Sequence, residues 1–219
     1  MTARTYAQYC AIATALDAVG DRWALLVVRE LLGGPKRYTD LRDGLPGIST
    51  DVLAARLREL EADGIVERRV LPPPAASKVY QLSEEGAGLE PVLMSLARWG
   101  TQRLSPCQEG EFRPNWLGLA LRSMFRPAAA AAVDVTADFV MDGGRLRAII
   151  QDGTLEVDGD PTGAADVVIS GDPASIAALA KGGESRLAVL TDGRVAIHGD
   201  AHAIVALRNS FGLEPAAQS

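Results

Sequence analysis

Along the first hundred residues, apolar positions recur at a helical period, punctuated by glycines, prolines and capping residues. Tyr9, Ile12, Ala13, Leu16 and Val19 predict a first helix from Tyr6 to Val19, ended by Gly20. Asp21 is placed to cap a second helix that carries Trp23, Leu26, Val27 and Leu31 and breaks at Gly33-Gly34-Pro35. A short third helix, Tyr38 to Asp43, buries Leu41, and Gly44-Leu45-Pro46-Gly47 turns the chain into the next one. That fourth helix has Ser49 as its cap, Gly64 as its stop, and Leu53, Leu57 and Leu60 on one face.

The period then changes. Two strand-like runs, Ile65 to Val70 and Lys78 to Leu82, flank the proline-rich Leu71-Pro72-Pro73-Pro74-Ala75-Ala76-Ser77, which predicts a hairpin with a stiff tip. Ser83 caps a fifth helix with Glu84 and Glu85 in its first turn. Its stripe of Leu89, Val92, Leu93, Leu96 and Trp99 is long enough to call for a partner helix.

From Arg103 to Asn115, Pro106, Gly110 and Pro114 mark a linker, followed by a short amphipathic helix from Trp116 to Phe125. Beyond it, Val135, Ala137, Phe139 and Met141 alternate with Asp134, Thr136, Asp138 and Val140. Leu146, Ala148 and Ile150 alternate in the same way across Asp142-Gly143-Gly144, so the two runs predict an antiparallel hairpin. Asp152-Gly153 turns into a third strand, Leu155 to Val157; Asp166 to Ser170 and Arg194 to His198 are the fourth and fifth. A helix runs from Asp172-Pro173 to Gly182-Gly183, and Asp200 caps the last one, through Leu207 and Phe211. The expected class is a mainly α N-terminal domain, residues 1–103, then a linker and connecting helix, 104–132. An α+β domain follows at 133–219, an antiparallel sheet with helices on one face.

With 47% apolar and 23% charged residues, the 219-residue chain can bury its own cores. The N-terminal residues lack a secretory apolar segment and no apolar run is long enough to span a membrane, so a cytoplasmic location without membrane association is expected. Cys10 and Cys107 are too few for a disulfide framework and lack partners at metal-ligand spacing. The net charge of -6 is unevenly placed. Residues 1–103 carry 13 basic and 13 acidic side chains, and residues 104–219 carry 9 and 15. A neutral first half can approach phosphates only if its basic groups share a face.

The fourth helix suggests such a face. Asp51, Ala54, Ala55 and Arg58 lie away from its leucines, and Ser49 and Thr50 sit at its N-terminus, where free amides favour a phosphate. Small residues allow deep insertion into a major groove, and Arg58 suits a guanine edge or a phosphate. Arg56 lies nearer the leucine stripe and can equally bridge to an acid on a neighbouring helix. Lys36 and Arg37 before the third helix, with Arg68, Arg69 and Lys78 on the hairpin, complete the candidate DNA-binding set.

Four segments carry a family resemblance: Leu16-Asp17-Ala18-Val19-Gly20-Asp21-Arg22-Trp23; Leu31-Leu32-Gly33-Gly34-Pro35-Lys36-Arg37-Tyr38; Gly47-Ile48-Ser49-Thr50-Asp51-Val52-Leu53; and Arg56-Leu57-Arg58-Glu59-Leu60 with Gly64-Ile65-Val66-Glu67-Arg68. In this order they resemble the HxlR-type winged-helix family of bacterial regulators, from about Tyr9 to Gly100. The resemblance implies a homodimer joined through terminal helices, with two recognition helices on a roughly palindromic double-stranded operator. Cys10 stands where this family often has a cysteine, which some members use to sense quinones, aldehydes or oxidants. Here Ala11 follows it in place of the commoner proline, and its neighbours Ile12 and Ala13 suit a small packed residue instead.

The second half, through Asp166-Val167-Val168-Ile169-Ser170-Gly171-Asp172-Pro173 and Gly193-Arg194-Val195-Ala196-Ile197-His198-Gly199-Asp200, resembles the sterol carrier protein 2 fold from about Val133 to Leu213. That resemblance implies an apolar tunnel between sheet and helices. Val135, Phe139, Leu146 and Ile169 are its candidate lining and a hydrophobic small molecule its effector; the alternative is a filled core serving dimerisation. His198 and His202 straddle a strand end and a helix start and suit an exposed polar pair better than a metal site; no cofactor or catalytic set is expected. Two functions remain open: a regulator with an effector domain, or a lipid carrier whose winged helix is a protein-contact module. The second predicts Arg58, Arg68, Arg69 and Lys78 scattered or internally paired.

Overall fold

The computed structural model describes residues 5–72, 76–104, 113–142, 144–181 and 183–213. The chain divides into two compact units, Met1–Leu93 and Met94–Ser219. The tip of the predicted hairpin at 73–75, Cys107 and most of the predicted linker, Gly143 and Gly182 lie outside the described residues.

In the first unit, helices α1 (Ala11–Val19), α2 (Ala24–Leu31), α3 (Tyr38–Gly44) and α4 (Thr50–Ala62) precede strands β1 (Val66–Val70) and β2 (Lys78–Leu82), with α5 (Glu84–Ala87) behind them. Val27, Val28, Leu31, Leu41, Leu45, Leu53, Leu57 and Leu60 make one core, closed by Ile65, Val66 and Leu93. β1 and β2 are antiparallel, and Lys36 extends them as a single bridge, exchanging backbone bonds of 2.9 and 2.8 Å with Tyr80. Three local expectations change. α1 begins at Ala11, leaving Tyr9 fully exposed ahead of it. Asp21 does not cap α2 through its side chain; Trp23 holds the N-cap position in the left-handed region (φ 81°), and the Asp21 carboxylate goes to Arg56 instead. The predicted fifth helix is two, α5 and α6 (Glu90–Thr101), because the chain turns at Gly88 and Leu89. α5 lies so close to β1 that a Cβ at Gly86 would stand 2.0 Å from the Ile65 carbonyl oxygen.

The second unit holds α7 (Pro114–Met124), a 3₁₀ turn (Pro127–Ala130), β3 (Asp134–Met141), β4 (Gly144–Gln151), β5 (Thr154–Asp158), β6 (Val167–Gly171), α8 (Pro173–Lys181), α9 (Gly183–Thr191), β7 (Val195–Gly199) and α10 (Ala201–Ser210). The sheet order is β5-β4-β3-β6-β7. Every ladder is antiparallel except β3 with β6. Asp152 and Gly153, both at positive φ (49° and 75°), form the tight turn between β4 and β5 that the Asp-Gly pair predicts. Alternation puts Val135, Ala137, Phe139, Leu146, Ala148, Ile150, Val167 and Ile169 on one face. There they pack with Leu121 of α7, Leu179 of α8, Val189 of α9 and Leu207 of α10, which makes this an α+β unit with its helices on one side. α9 was not expected: Gly182-Gly183 reads as a stop, and the run Leu187-Ala188-Val189-Leu190 has no helical period to betray it.

The other face of the sheet carries charge. The connection from β5 to β6 must pass β4 and β3, and it crosses on this side. Asp138 is buried there. Arg147 meets it with Nε at 2.7 Å and Nη2 at 2.9 Å, and Arg145 bonds it as well. The two guanidiniums also donate to the carbonyls of Thr162 and Gly163 at 2.8 to 3.1 Å, which pins the crossing segment. Asp166 ends that segment by accepting from the Thr136 amide and hydroxyl.

Candidate nucleic-acid interface

α4 is anchored by the three leucines that its period predicts: Leu53, Leu57 and Leu60 are all fully buried. Ser49 caps it, its Oγ accepting from the Val52 amide at 3.3 Å, and the Tyr38 hydroxyl donates to the Thr50 carbonyl at 2.8 Å, tying α3 to the start of α4. With the leucines turned inward, Thr50, Asp51 and Arg58 are exposed and Ala54 and Ala55 half-buried, so the outward face is short-chained around one long cation. The Arg58 Nε donates to its own helix at the Ala54 carbonyl, 3.2 Å away, and no ion pair ties Arg58 to a carboxylate among the described residues. Arg56 takes the internal role: it bridges Asp21 and, at 2.7 Å, Glu59.

The remaining candidates separate into two groups. Arg37, Arg69 and Lys78 are exposed. Lys36 and Arg68 are committed to carboxylates. The Lys36 ammonium lies 2.6 Å from Glu30, whose side chain is completely buried, and its own side chain is only 23% exposed. Arg68 grips Glu61 at the end of α4 with one hydrogen bond from Nη2 to Oε2 and a close ion contact between Nε and Oε1, both at 2.8 Å, and lies over the Tyr80 ring at 5.4 Å from its centroid. The hydrogen bond to Glu61 is the main reason its guanidinium is even harder to deprotonate than usual. Arg68 and Arg69, read as a pair from sequence, point to opposite faces of β1, because neighbours on a strand must. Glu30 was not singled out in the sequence, where it reads as an ordinary helix charge. Gly44 was the available signal, since a Cβ there would lie 2.6 Å from the Glu30 Oε2.

Cys10 is exposed at the N-cap of α1 and is not a packed core residue. The backbone amides of Ala13 and then Ile12 hold its thiol below the ordinary range, the effect expected of open N–H groups at a helix start. The candidate effector residues Val135, Phe139, Leu146 and Ile169 are brought together, all buried in the packed core of the second unit. A separate open groove of about 440 Å³ lies along α10, lined by Ala129, Val133, Ala201, His202, Val205, Ala206 and Asn209. Among the described residues, Ile12 and Leu16 on α1 and Val92, Leu96 and Trp99 on α6 form exposed apolar faces. No helix among the described residues is long and apolar enough to cross a membrane.

Comparison with known proteins finds two family models on the chain. A model described as HxlR-like helix-turn-helix matches residues 18–108, and one for the SCP-2 sterol transfer family matches residues 127–212. The uncharacterized HTH-type transcriptional regulator YvaP of Bacillus subtilis is 37% identical over 92 residues, covering 42% of this chain and 85% of that protein. The HTH-type transcriptional regulator YodB of the same organism is 38% identical over 100 residues, 44% of this chain and 89% of YodB. Among solved structures, the reduced form of YodB matches 46% of this chain and 100% of its own, at 36% identity and a TM-score of 0.39. The chain thus belongs to the HxlR-like helix-turn-helix family, with a second half that resembles the SCP-2 sterol transfer family.

Proposed function

We propose that this protein is a sequence-specific DNA-binding transcriptional regulator that acts in the cytoplasm as a homodimer. The observation that carries the reading is the outward face of α4. Thr50, Asp51, Ala54, Ala55 and Arg58 stand over a fully buried leucine stripe, on a helix shaped to enter a major groove. Ser49 and Thr50 at its N-terminus, with Arg37, Arg69 and Lys78, meet the phosphates and set the register. The exposed apolar faces of α1 and α6 pack against a second copy, so that two α4 helices reach half-sites about one helical turn apart. The α+β domain expected at residues 133–219 takes an apolar small molecule. The match of residues 127–212 to the SCP-2 sterol transfer family supports that role, and the ligand acts on DNA binding only through a preference for one arrangement of the dimer.

Footprinting of the full-length protein on its own upstream DNA, beside its molar mass by light scattering, tests this reading. A dimer protecting two half-sites about one turn apart is expected; a monomer with no protected site contradicts it. Arg68, one of the four cations that a protein-contact module would keep internally paired, does so here, whereas Arg58 does not.

A further inference from the structure

We propose that Arg68 is a positioning residue that braces the hairpin against the recognition helix, and not a phosphate contact. Its guanidinium faces both oxygens of Glu61: Nη2 donates to Oε2 and Nε makes an ion contact with Oε1, each at 2.8 Å. Glu61 sits in the last turn of α4, one turn beyond Arg58, and Arg68 sits mid-strand in β1. One ion pair with two nitrogens of the guanidinium engaged therefore ties the orientation of the hairpin to that of α4, through a planar group that arginine provides and lysine does not.

The tie continues inward. The Arg68 guanidinium rests on the Tyr80 ring, and Tyr80 is held by its backbone to Lys36 through bonds in both directions. The Lys36 ammonium ends on the buried Glu30 carboxylate, against which Gly44 of α3 is packed without room for a side chain. The chain Glu61, Arg68, Tyr80, Lys36, Glu30 thus runs from the far end of α4 through the hairpin to the core beside α3. Arg69 and Lys78, left exposed on the same hairpin, are the groups free to meet phosphate.

This inference rests on the DNA-binding reading, and one experiment separates the two. The full-length protein, with its Glu61→Ala, Arg68→Ala, Arg68→Lys and double Glu61→Ala/Arg68→Ala variants, is titrated against upstream DNA over a salt series. Melting curves confirm that each variant is folded. Absence of binding by the unmodified protein defeats the DNA reading itself. Given binding, a brace predicts that Glu61→Ala, Arg68→Ala and Arg68→Lys each weaken it about two- to fivefold, the range of a partly exposed ion pair. The double variant is then no worse than either single one, and the salt slope is unchanged. A direct phosphate contact predicts the reverse. Removing the Glu61 carboxylate leaves binding unchanged or tighter, Arg68→Lys retains it, and Arg68→Ala flattens the salt slope by about one phosphate. Any one of these three results overturns the proposal.

Discussion

The outer face of α4 and the outer face of the second unit's sheet both display arginine, and they use it in opposite ways. Arg58 is exposed and, among the described residues, bonds only to its own helix, whereas Arg147 has a side chain 9% exposed and commits its guanidinium to Asp138 and two loop carbonyls. Burial decides the difference. A solvated cation loses little by waiting for a ligand, but a guanidinium under a covering loop must be paired at once or destabilise the fold. Charge on a surface helix is therefore evidence for a partner only after its carboxylate neighbours have been counted. The same count finds Arg56, Arg68 and Lys36 held by carboxylates and, among the described residues, leaves Arg37, Arg58, Arg69 and Lys78 without one.

The largest test of that contrast is Asp138→Ala. It leaves two guanidiniums facing each other under the loop, and urea unfolding of the second unit should show a loss of about 3–5 kcal/mol. Acid probes the same pair. Burial pushes the Asp138 carboxyl up, but the hydrogen bonds from Arg147 and Arg145 outweigh it and hold the group below the ordinary carboxylate range. A depressed folded-state value means that stabilisation is full above the unfolded value, about 3.9, and is lost as pH falls through the lower folded one. Unfolding midpoints should drop on acidification below about pH 4, and less so in Asp138→Asn.

On the α4 side the effects fall on binding and leave stability alone. Arg58→Ala should reduce discrimination between upstream and random DNA by about 1–3 kcal/mol in competition titrations, with its melting temperature unchanged. Lys78→Ala should weaken both DNAs alike by a few fold and flatten the salt slope by about one. The smallest effect on affinity is expected at Cys10, where Cys10→Ser should leave binding intact under reducing conditions. Alkylation of the unmodified protein, compared with that variant, should reveal a thiol titrating below a free cysteine.

How much of this was legible in the sequence depended on whether the deciding contact was local. The leucine period of α4, the caps at Ser49, Ser83 and Asp200, and the Asp152-Gly153 turn are set within a few residues, and all appear where expected. Asp21 has the right chemistry for a cap, but its partner Arg56 lies 35 positions away, and no local rule chooses between the two. Asp138 alternates outward as predicted, yet it is buried, because the strand order sends the β5–β6 connection across that face. Arg68 and Arg69 are adjacent in sequence and alike in charge. Only the register of β1 against β2 and the reach to Glu61 separate a brace from a free cation.

The central claim is that the outer face of α4 reads DNA through Arg58. The most direct test is competition between upstream DNA and random DNA of equal length for the full-length protein, repeated with Arg58→Ala across a salt series. Saturable binding with a steep salt slope is expected, together with a preference for the upstream sequence that the variant loses. Equal binding to both DNAs by the unmodified protein, or a preference that survives in Arg58→Ala, would contradict it.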